Sequence, residues 1–257
     1  MRLLRIGDDG KVSLTADLTD PVPPYAILSH TWGEDQDEVS FEDIKDIHRE
    51  ANKPGDEKLR FCAKQTAHDS LEYIWIDTCC IQKSNFTELS EAITSMFRWY
   101  KNAAKCYVYL ADVSTDNINE MNLSPGSWEE AFQKSRWFTR GWTLQELIAP
   151  RSVEFFCSNG RRLGDRNSLQ QQIHHITKIP VTALTGAPLS SFKISERFSW
   201  AEFRETKKPE DKVYSLLGIF GVHIPLLYGE GRDSAFQRLR DEIDRSLNPV
   251  QTCKCRS

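Results

Sequence analysis

A tryptophan and a glutamate lie one helical turn apart in the segment GWTLQELIAP, residues 141–150. Positions i and i+4 of an α-helix share one face, so the Trp142 indole and the Glu146 carboxylate should point the same way. Pro150 cannot continue a helix and therefore marks the end of this one. An aromatic ring beside a carboxylate can form a site, yet Glu146 could also be a solvated helix carboxylate or a salt-bridge partner of Arg140.

Other polar side chains lie at the ends of apolar segments that have the length and boundaries of buried strands. Segment 25–30, YAILSH, closes with Ser29 and His30, and segment 72–77, EYIWID, ends in Asp77. In an open sheet of parallel strands, ligands bind beyond the carboxyl ends of the strands. We therefore expect these three side chains at a ligand crevice.

Each of these residues also has an ordinary structural role. Asp77 can cap a helix as readily as it can bind a ligand hydroxyl. A lone histidine after a strand, such as His30, is more often structural than catalytic. Cys79 or Cys80 with His30 as base would make a cysteine hydrolase, but their apolar flanks favour buried, unreactive thiols. Arg140 can contact a pyrophosphate, although a salt bridge is its more common role.

The elements that must position these residues alternate along the chain. Strand patterns are separated by amphipathic helical patterns, the strands at 25–30, 72–77, 105–113 and 152–160 and the helices at 57–71, 87–103 and 128–148. The last helical segment is expected to break near Gly141. Parallel strands need long crossovers, so this order predicts an α/β fold with a flavodoxin-like parallel sheet and helices on both faces.

From about residue 161 the strand pattern gives way to short helical segments between turns that contain proline and glycine. We therefore divide the chain into a sheet core, a helical extension integral to it and a tail predicted to be disordered, with the bounds 1–160, 161–247 and 248–257. The extension contains an apolar cluster that cannot stay exposed, formed by Leu216, Leu217, Ile219 and Phe220. This cluster predicts that the extension packs against the core.

Composition disfavours several classes of function. Lys and Arg number 33 against 37 Asp and Glu, and the interspersed signs predict neither a nucleic-acid partner nor membrane binding. No apolar run could span a bilayer, and the N-terminus lacks the apolar stretch of a signal peptide. Seven irregularly spaced cysteines favour a reducing, cytoplasmic location and offer no metal-ligand spacing. Phosphate-binding glycine loops and a nucleophile elbow are missing, which disfavours nucleotide kinases, dinucleotide-dependent dehydrogenases and serine hydrolases.

Three blocks of the chain resemble the three motifs of the fungal heterokaryon-incompatibility (HET) domain. They read YAILSHTWGED, YIWIDTCCIQ and SRWFTRGWTLQEL, and they begin at Tyr25, Tyr73 and Ser135. Residues 204–243 are similar to the segment that follows in many members of that family. Such domains are often fused to nucleotide-binding and repeat sensor modules, so the resemblance implies a sensor of that kind as a partner, on the same chain or another.

The same blocks resemble, more distantly, the Toll/interleukin receptor (TIR) domain. LSHTWGED is similar to the first-strand motif of plant TIR domains, and RGWTLQEL is similar to their W-C-x-x-E-L helix. In TIR domains that are enzymes, the glutamate of that helix is catalytic for cleavage of NAD. By position the resemblance gives this role to Glu146 and places the segment from Ser29 to Trp32 beside it. Trp142 or Trp32 would then stack on a ring of the substrate.

These resemblances together imply an intracellular cell-death effector of the incompatibility or innate-immunity type. The implied activity is hydrolysis of NAD to nicotinamide and ADP-ribose or a cyclised product, with NAD as substrate and no cofactor or metal. They also imply gating by self-association. The competing hypothesis is a death-signalling adaptor without enzymatic activity that acts only by recruiting like domains.

Overall fold

A seven-stranded sheet forms the centre of the molecule. The computed structural model describes residues 1–7, 10–46, 48–115 and 128–248. Within them the strands are β1 Leu4–Ile6, β2 Val12–Leu14, β3 Tyr25–His30, β4 Tyr73–Trp75, β5 Lys105–Leu110, β6 Val153–Cys157 and β7 Arg162–Asp165. Their order across the sheet is β2-β1-β4-β3-β5-β6-β7.

The four central strands are parallel, and the edges are antiparallel. β4, β3, β5 and β6 pair in parallel, whereas β1 pairs with β2 and β4, and β7 with β6, in the antiparallel sense. Among the parallel strands, β4 lies on one side of β3, and β5 and then β6 follow on its other side. This is the start of the flavodoxin-like order, so the predicted α/β fold class is confirmed, with mixed edges that the sequence did not indicate.

The parallel strands are apolar because both of their faces are covered. All six residues of β3 are buried, as expected for a strand between two layers of helices. Eleven α-helices lie in the described ranges: α1 Phe41–Lys45, α2 Gly55–His68, α3 Phe86–Asn102, α4 Glu129–Lys134, α5 Thr143–Ile148, α6 Gln170–Thr177, α7 Val181–Leu184, α8 Ile194–Ser199, α9 Asp211–Tyr214, α10 Leu217–Phe220 and α11 Arg232–Leu247.

Helices cover opposite faces of the sheet, as predicted. The side chains of β5 alternate between the two sides. Tyr109 reaches α2, where its ring lies 5.0 Å from that of Phe61. Cys106 faces α5, where its thiol donates to the Glu146 carbonyl at 3.8 Å. Tyr25 of β3 donates its hydroxyl to the carbonyl of Trp99 in α3 at 2.6 Å, so α3 lies on the same face as α5.

The helical segment predicted at 128–148 is broken, as expected, near Gly141. Within it, α4 is followed by a short 3-10 helix, Arg136–Thr139, and then by α5, which Pro150 closes. The amide of Gly141 donates to a residue outside this segment, the carbonyl of Glu205, at 2.8 Å. The loop rich in Asn and Ser that precedes this segment lies, from residue 116 to 127, outside the described residues.

The second part of the chain is not purely helical, contrary to the sequence-based prediction. Strand β7 follows residue 161 and extends the sheet beyond β6, so the boundary drawn at residue 160 falls inside the β6–β7 hairpin. Of the predicted apolar cluster, Leu216, Leu217 and Ile219 are buried and Phe220 is partly buried. The predicted tail lies, from residue 249 on, outside the described residues.

We expect Gly218→Ala to destabilise the protein by about 2–3 kcal/mol. Gly218 in α10 lies against α3, and a Cβ at this position would meet Cβ of Phe97 at 2.2 Å. Such a contact forces α10 away from α3, because the blocking atom is next to the Phe97 backbone. The melting temperature should fall by roughly 5–10 °C. Gly33→Ala is the control, since its Cβ would meet no atom closer than 3.7 Å, and an equal loss there would contradict the explanation.

Candidate active site

The carboxyl group of Glu146 lies at the centre of a buried hydrogen-bond network. The Ser29 hydroxyl donates to Oε2 of Glu146 at 2.5 Å, and the Trp137 indole N–H donates to the Ser29 oxygen at 2.8 Å. The Tyr100 hydroxyl of α3 has two acceptors for its one proton, the same carboxyl group and the Leu28 carbonyl, which lies 3.2 Å away. We call the group formed by Ser29, Tyr100, Trp137, Glu146 and the nearby Arg204 the Glu146 centre.

Glu146 is therefore not a surface carboxylate. Only 5% of the residue is exposed, and Ser29 and Trp137 are fully buried. The Glu146 side chain extends from α5, a six-residue helix that begins two residues after Gly141 and ends two residues before Pro150, so its backbone is fixed at both ends. Ser29 occupies the carboxyl end of β3, as the sequence predicted. The two predicted residues meet directly across the sheet and helix layers.

Burial dominates the ionisation of Glu146. Removal from water raises the pKa of its carboxyl group to about 8, and the negative charge of Asp77 adds to this effect. The hydrogen bonds from Ser29 and Tyr100 and the charge of Arg204 act in the opposite direction but are weaker. A carboxyl group with such a pKa is mostly protonated at neutral pH.

Arg204 is the positively charged residue among the causes of this pKa shift. Its Nη1 donates to the Arg140 carbonyl and to the Thr143 hydroxyl, both at 2.8 Å, and its Nε donates to the Trp200 carbonyl. The residue is buried, and its Nη2 has no hydrogen-bond partner. Burial lowers the pKa of this guanidinium to about 9, against the raising effect of Glu146.

A second polar group, the Asp77 cluster, lies beyond the ends of β3 and β4. It consists of His30, Trp32, Glu38, Lys58 and Asp77. Asp77 accepts from the Trp32 indole N–H at 3.0 Å and contacts Nε2 of His30 at 3.1 Å. Nζ of Lys58 donates to Oε1 of Glu38 at 2.5 Å, and Oε2 of Glu38 lies 3.9 Å from Nδ1 of His30.

The two groups lie on different faces of the sheet but are electrostatically coupled. Successive residues of a strand point to opposite sides, so Ser29 faces α5 whereas His30 faces α2, whose Lys58 holds Glu38. Burial raises the pKa of Asp77, but the His30 hydrogen bond and charge, with Lys83 and Trp32, hold it below its ordinary value. Asp77 thus stays ionised and its charge acts on Glu146. The predicted crevice residues form two adjoining groups.

Neither of the remaining two predicted site residues is a hydrogen-bond partner of the Glu146 carboxyl group, whose partners are Ser29 and Tyr100. Trp142 is partly buried and hydrogen-bonds the Asp211 carboxylate, which also accepts from the Tyr228 hydroxyl at 2.8 Å. The backbone carbonyl of Arg140 accepts from Nη1 of Arg204 at 2.8 Å. The tryptophan bonded to the Ser29–Glu146 pair is Trp137, which the sequence-based prediction did not name.

Three members of the Glu146 centre were missed by sequence reasoning: Tyr100, Trp137 and Arg204. A signal existed for Trp137 only, because it lies in the same motif block as Glu146. It is nine positions away, across the break at Gly141, so no helical spacing connects the two. Tyr100 and Arg204 come from α3 and from the second part of the chain, and only the folded topology brings them here.

The cysteine alternative finds little support in the geometry. Cys79 and Cys80 are buried, and burial raises the pKa of the Cys79 thiol to about 12 and that of Cys80 well above its ordinary value. A nucleophilic cysteine needs the opposite shift. Among the described residues, no cluster of three or more His, Cys, Asp or Glu side chains could hold a metal ion. In the same residues, no helix combines the length and apolarity needed to cross a bilayer.

The raised pKa of Glu146 predicts a specific dependence of stability on pH. Folded protein retains this proton up to about pH 8, whereas unfolded protein releases it near the ordinary value of 4.5. The contribution of Glu146 to stability is therefore complete below pH 4.5 and is lost as pH rises to 8. Relative to Glu146→Gln, the wild type should lose on the order of 2–4 kcal/mol between pH 5 and pH 9.

Denaturant unfolding of both proteins across this range measures the difference. Ser234→Ala, at an exposed position without a titratable side chain, provides the control, and the wild type and this variant should keep a constant difference. A constant difference for Glu146→Gln as well would show that this carboxyl group is ionised at neutral pH in the folded protein.

A mostly parallel sheet covered by helices on both faces makes this chain an α/β protein, and the buried Glu146 carboxyl group lies beside the ends of its central strands. Residues 25–125 match the profile of the family described as heterokaryon incompatibility protein (HET), so the chain contains a HET domain. The chain is also 57% identical over 246 residues to vegetative incompatibility protein HET-E-1 of Podospora anserina. That alignment covers 95% of the chain and 18% of the relative. Among solved structures, none matches significantly.

Proposed function

We propose that this chain is a cytoplasmic cell-death effector domain of the incompatibility type that hydrolyses NAD when assembled. The products are nicotinamide and ADP-ribose or a cyclised form. The observation that carries the proposal is the Glu146 centre: one carboxyl group, buried and hydrogen-bonded, at the position that the TIR resemblance makes catalytic. The name of the Podospora relative supports the incompatibility role, and the resemblance supports the activity.

The proposed reaction needs a single carboxylate. NAD carries a positive charge on its nicotinamide ring, so the ring leaves as a neutral molecule without a general acid. Breaking the N-glycosidic bond transfers positive charge to the ribose, which becomes oxocarbenium-like. A carboxylate at Glu146 stabilises this charge in an environment of low dielectric, where electrostatic interactions are strong. Water then attacks the ribose, or a group of the same molecule does so in cyclisation.

Substrate binding would supply the condition for ionising Glu146. The carboxyl group with a pKa of about 8 is mostly neutral in the free protein. A nearby cation favours the charged form of a carboxyl group, and the nicotinamide ring of NAD is such a cation. Glu146 is only 5% exposed, so the substrate also requires an opening of the crevice. Both requirements explain why an isolated copy would be slow.

The Asp77 cluster fits the recognition of the rest of the substrate. The Trp32 ring is partly buried, and Nζ of Lys83 lies 3.6 Å and Nζ of Lys207 5.8 Å from its centroid. An aromatic ring can stack on a substrate ring, and lysines beside it can contact a pyrophosphate. In the proposal, Trp32 and Asp77 hold a ring and a ribose hydroxyl, and Arg140 remains a candidate for the pyrophosphate.

The direct test is to incubate the purified protein with NAD and to measure free nicotinamide. The proposal expects release that depends on protein and substrate, and the NAD should be consumed in equal amount. An absence of release, even at high protein concentration and with the expected fold confirmed by circular dichroism, would contradict the enzymatic function.

The second candidate is an adaptor that recruits a further copy of this chain without chemistry. Phe203 is 81% exposed and follows two residues, Ala201 and Glu202, that line an open groove between α8 and α11 together with Phe198, Phe236 and Ile243. An exposed aromatic side chain next to an apolar groove favours contact with another protein. Self-association is common to both candidates. A nucleotide-binding or repeat sensor, on this chain or another, is the further partner that the HET resemblance suggests.

If assembly gates the enzyme, specific activity should rise steeply with protein concentration. Assembly brings together groups from two copies or holds the crevice open, so dilution should reduce activity per molecule. Nicotinamide release over a dilution series, with light scattering on the same samples, measures both quantities. Phe203→Ser removes exposed apolar area, so it should move the rise to higher concentration. A flat profile from a protein that stays monomeric would contradict gating.

A further inference from the structure

The series of hydrogen bonds that ends at Glu146 begins at the indole of Trp137, a residue that the sequence patterns did not single out. Trp137 donates its N–H to Ser29 at 2.8 Å, and Ser29 donates its hydroxyl to Oε2 of Glu146 at 2.5 Å. Trp137 and Ser29 are fully buried. Both hydrogen bonds therefore form away from bulk water, where hydrogen bonds are electrostatically stronger.

The direction of this chain follows from the chemistry of its members. An indole nitrogen can donate but cannot accept, whereas a hydroxyl has one proton and two lone pairs. Because Trp137 occupies a lone pair of the Ser29 oxygen, the Ser29 proton is left for the Glu146 carboxyl group. We propose that Trp137 is a positioning residue that acts on Glu146 through Ser29, by directing the Ser29 proton to Oε2.

Trp137 itself is held firmly. Its ring lies edge-on against Phe138 at 5.1 Å and against Phe155 of β6 at 5.6 Å. Its carbonyl accepts from the Thr143 hydroxyl at 2.6 Å, at the start of the helix that carries Glu146. The indole N–H is thus fixed relative to both the sheet and α5. A donor with little freedom imposes its direction on the hydroxyl that it contacts.

The expected effect is on the ionisation of Glu146. A hydroxyl that donates to a carboxyl group stabilises the carboxylate, which is the form that the proposed function requires. The other titratable groups around Glu146 are Asp77 after β4, Tyr100 in α3, Cys106 in β5 and Arg204. Burial keeps Tyr100 and Cys106 neutral by raising the pKa of each well above its ordinary value. Asp77 opposes and Arg204 favours the carboxylate, and neither is hydrogen-bonded by Trp137.

The test is a double-mutant cycle on the Glu146 titration. The side-chain carboxyl carbons of glutamate are labelled with ¹³C, and the Glu146 signal is assigned by its absence in Glu146→Gln. Ser29→Ala and Trp137→Phe should each raise the titration midpoint, by up to about one pH unit for Ser29→Ala. In the double variant the midpoint should equal that of Ser29→Ala alone, because Trp137 acts only through the hydroxyl.

Two controls separate positioning from packing. Phe132→Leu removes packing from the same aromatic cluster, where the Phe132 ring contacts Phe138 and Phe155, so it should lower the melting temperature and leave the Glu146 midpoint unchanged. If Trp137→Phe does not fold, β-(3-benzothienyl)alanine at position 137 keeps the shape of the ring and replaces the N–H by sulfur. An unchanged midpoint on loss of the N–H, or additive shifts in the double variant, would overturn the proposal.

The inference rests on the proposed function only where it calls Glu146 catalytic, and the titration requires no turnover. If NAD is hydrolysed, the acidic limb of the pH–rate profile should move upward by the same amount as the titration midpoint. If nicotinamide release is undetectable while the midpoints shift as expected, the enzymatic proposal fails and the positioning role stands. If nicotinamide is released but the midpoints do not shift, the positioning role fails and the enzymatic proposal stands.

Discussion

Glu146→Gln is expected to reduce nicotinamide release by about 100- to 1000-fold while the protein keeps its fold. Gln has nearly the volume of Glu and can accept the Ser29 hydroxyl bond that Glu146 accepts at 2.5 Å. It cannot carry the negative charge that a cationic ribose requires. The substitution thus removes the electrostatic contribution and leaves the packing of α5 almost unchanged.

The melting temperature provides the internal control for this result. At neutral pH the wild-type carboxyl group is mostly protonated, because its pKa is about 8, so a neutral amide is a close substitute. Melting curves should therefore nearly coincide near pH 5, and at the assay pH Glu146→Gln should melt above the wild type, because only unfolded wild type gains stability by releasing the proton. Glu57→Gln, an exposed helix carboxylate, should retain full activity under the same assembly conditions.

A wild-type rate of nicotinamide release from Glu146→Gln would show that Glu146 is a structural residue. The TIR analogy would then fail at its central position. A large loss of activity together with a large loss of stability would instead indicate that the amide cannot be accommodated, and Glu146→Asp, which keeps the charge, would separate the two causes. If the negative charge is what the reaction requires, Glu146→Asp should keep part of the activity.

The sequence specified the centre of the fold better than its edges. Strands β3, β4, β5 and β6 are apolar segments between amphipathic helices, so their order and parallel pairing follow from composition and crossover length. Strands β1 and β2 have three residues each, and β7 reads RLGD, which has neither apolar alternation nor β-branched residues. Such strands form because a neighbouring strand offers backbone partners, and single-sequence patterns do not contain that information.

The site was predictable as a set of residues but not as a geometry. Ser29, His30 and Asp77 lie at strand ends as the crevice argument requires, and Glu146 lies on the predicted helix. What the sequence could not indicate is which residue each face of β3 meets, with Ser29 bonded to Glu146 and His30 to Asp77. The ionisation of Glu146 was equally inaccessible, because it depends on burial and on Arg204, which lies 58 positions further along the chain.

The contacts of Arg204 and its neighbours also bear on whether the second part of the chain is a separate domain. The amide of Glu205 donates to the Thr139 carbonyl at 2.6 Å, and the amide of Gly141 returns a bond to the Glu205 carbonyl at 2.8 Å. Arg166 donates to the Leu147 carbonyl at 2.7 Å, at the end of α5. The helix that carries Glu146 is thus bonded at both ends by residues beyond 160.

Deleting residues 161–257 is therefore expected to give an insoluble chain with no cooperative melting transition. The deletion exposes β6 as an unpaired edge and uncovers the surface of α3 against which Gly218 lies. It also removes Leu216, Leu217 and Ile219, each at most 3% exposed, so apolar area is lost from both sides of the contact. Residues 1–248 serve as the parent protein in the comparison. Fragment 1–168, which restores β7 and Arg166, should fail as well, because the helical layer is still missing. A soluble fragment 1–160 that melts cooperatively would show that the two parts fold independently, and the bonds to α5 would then be contacts between domains.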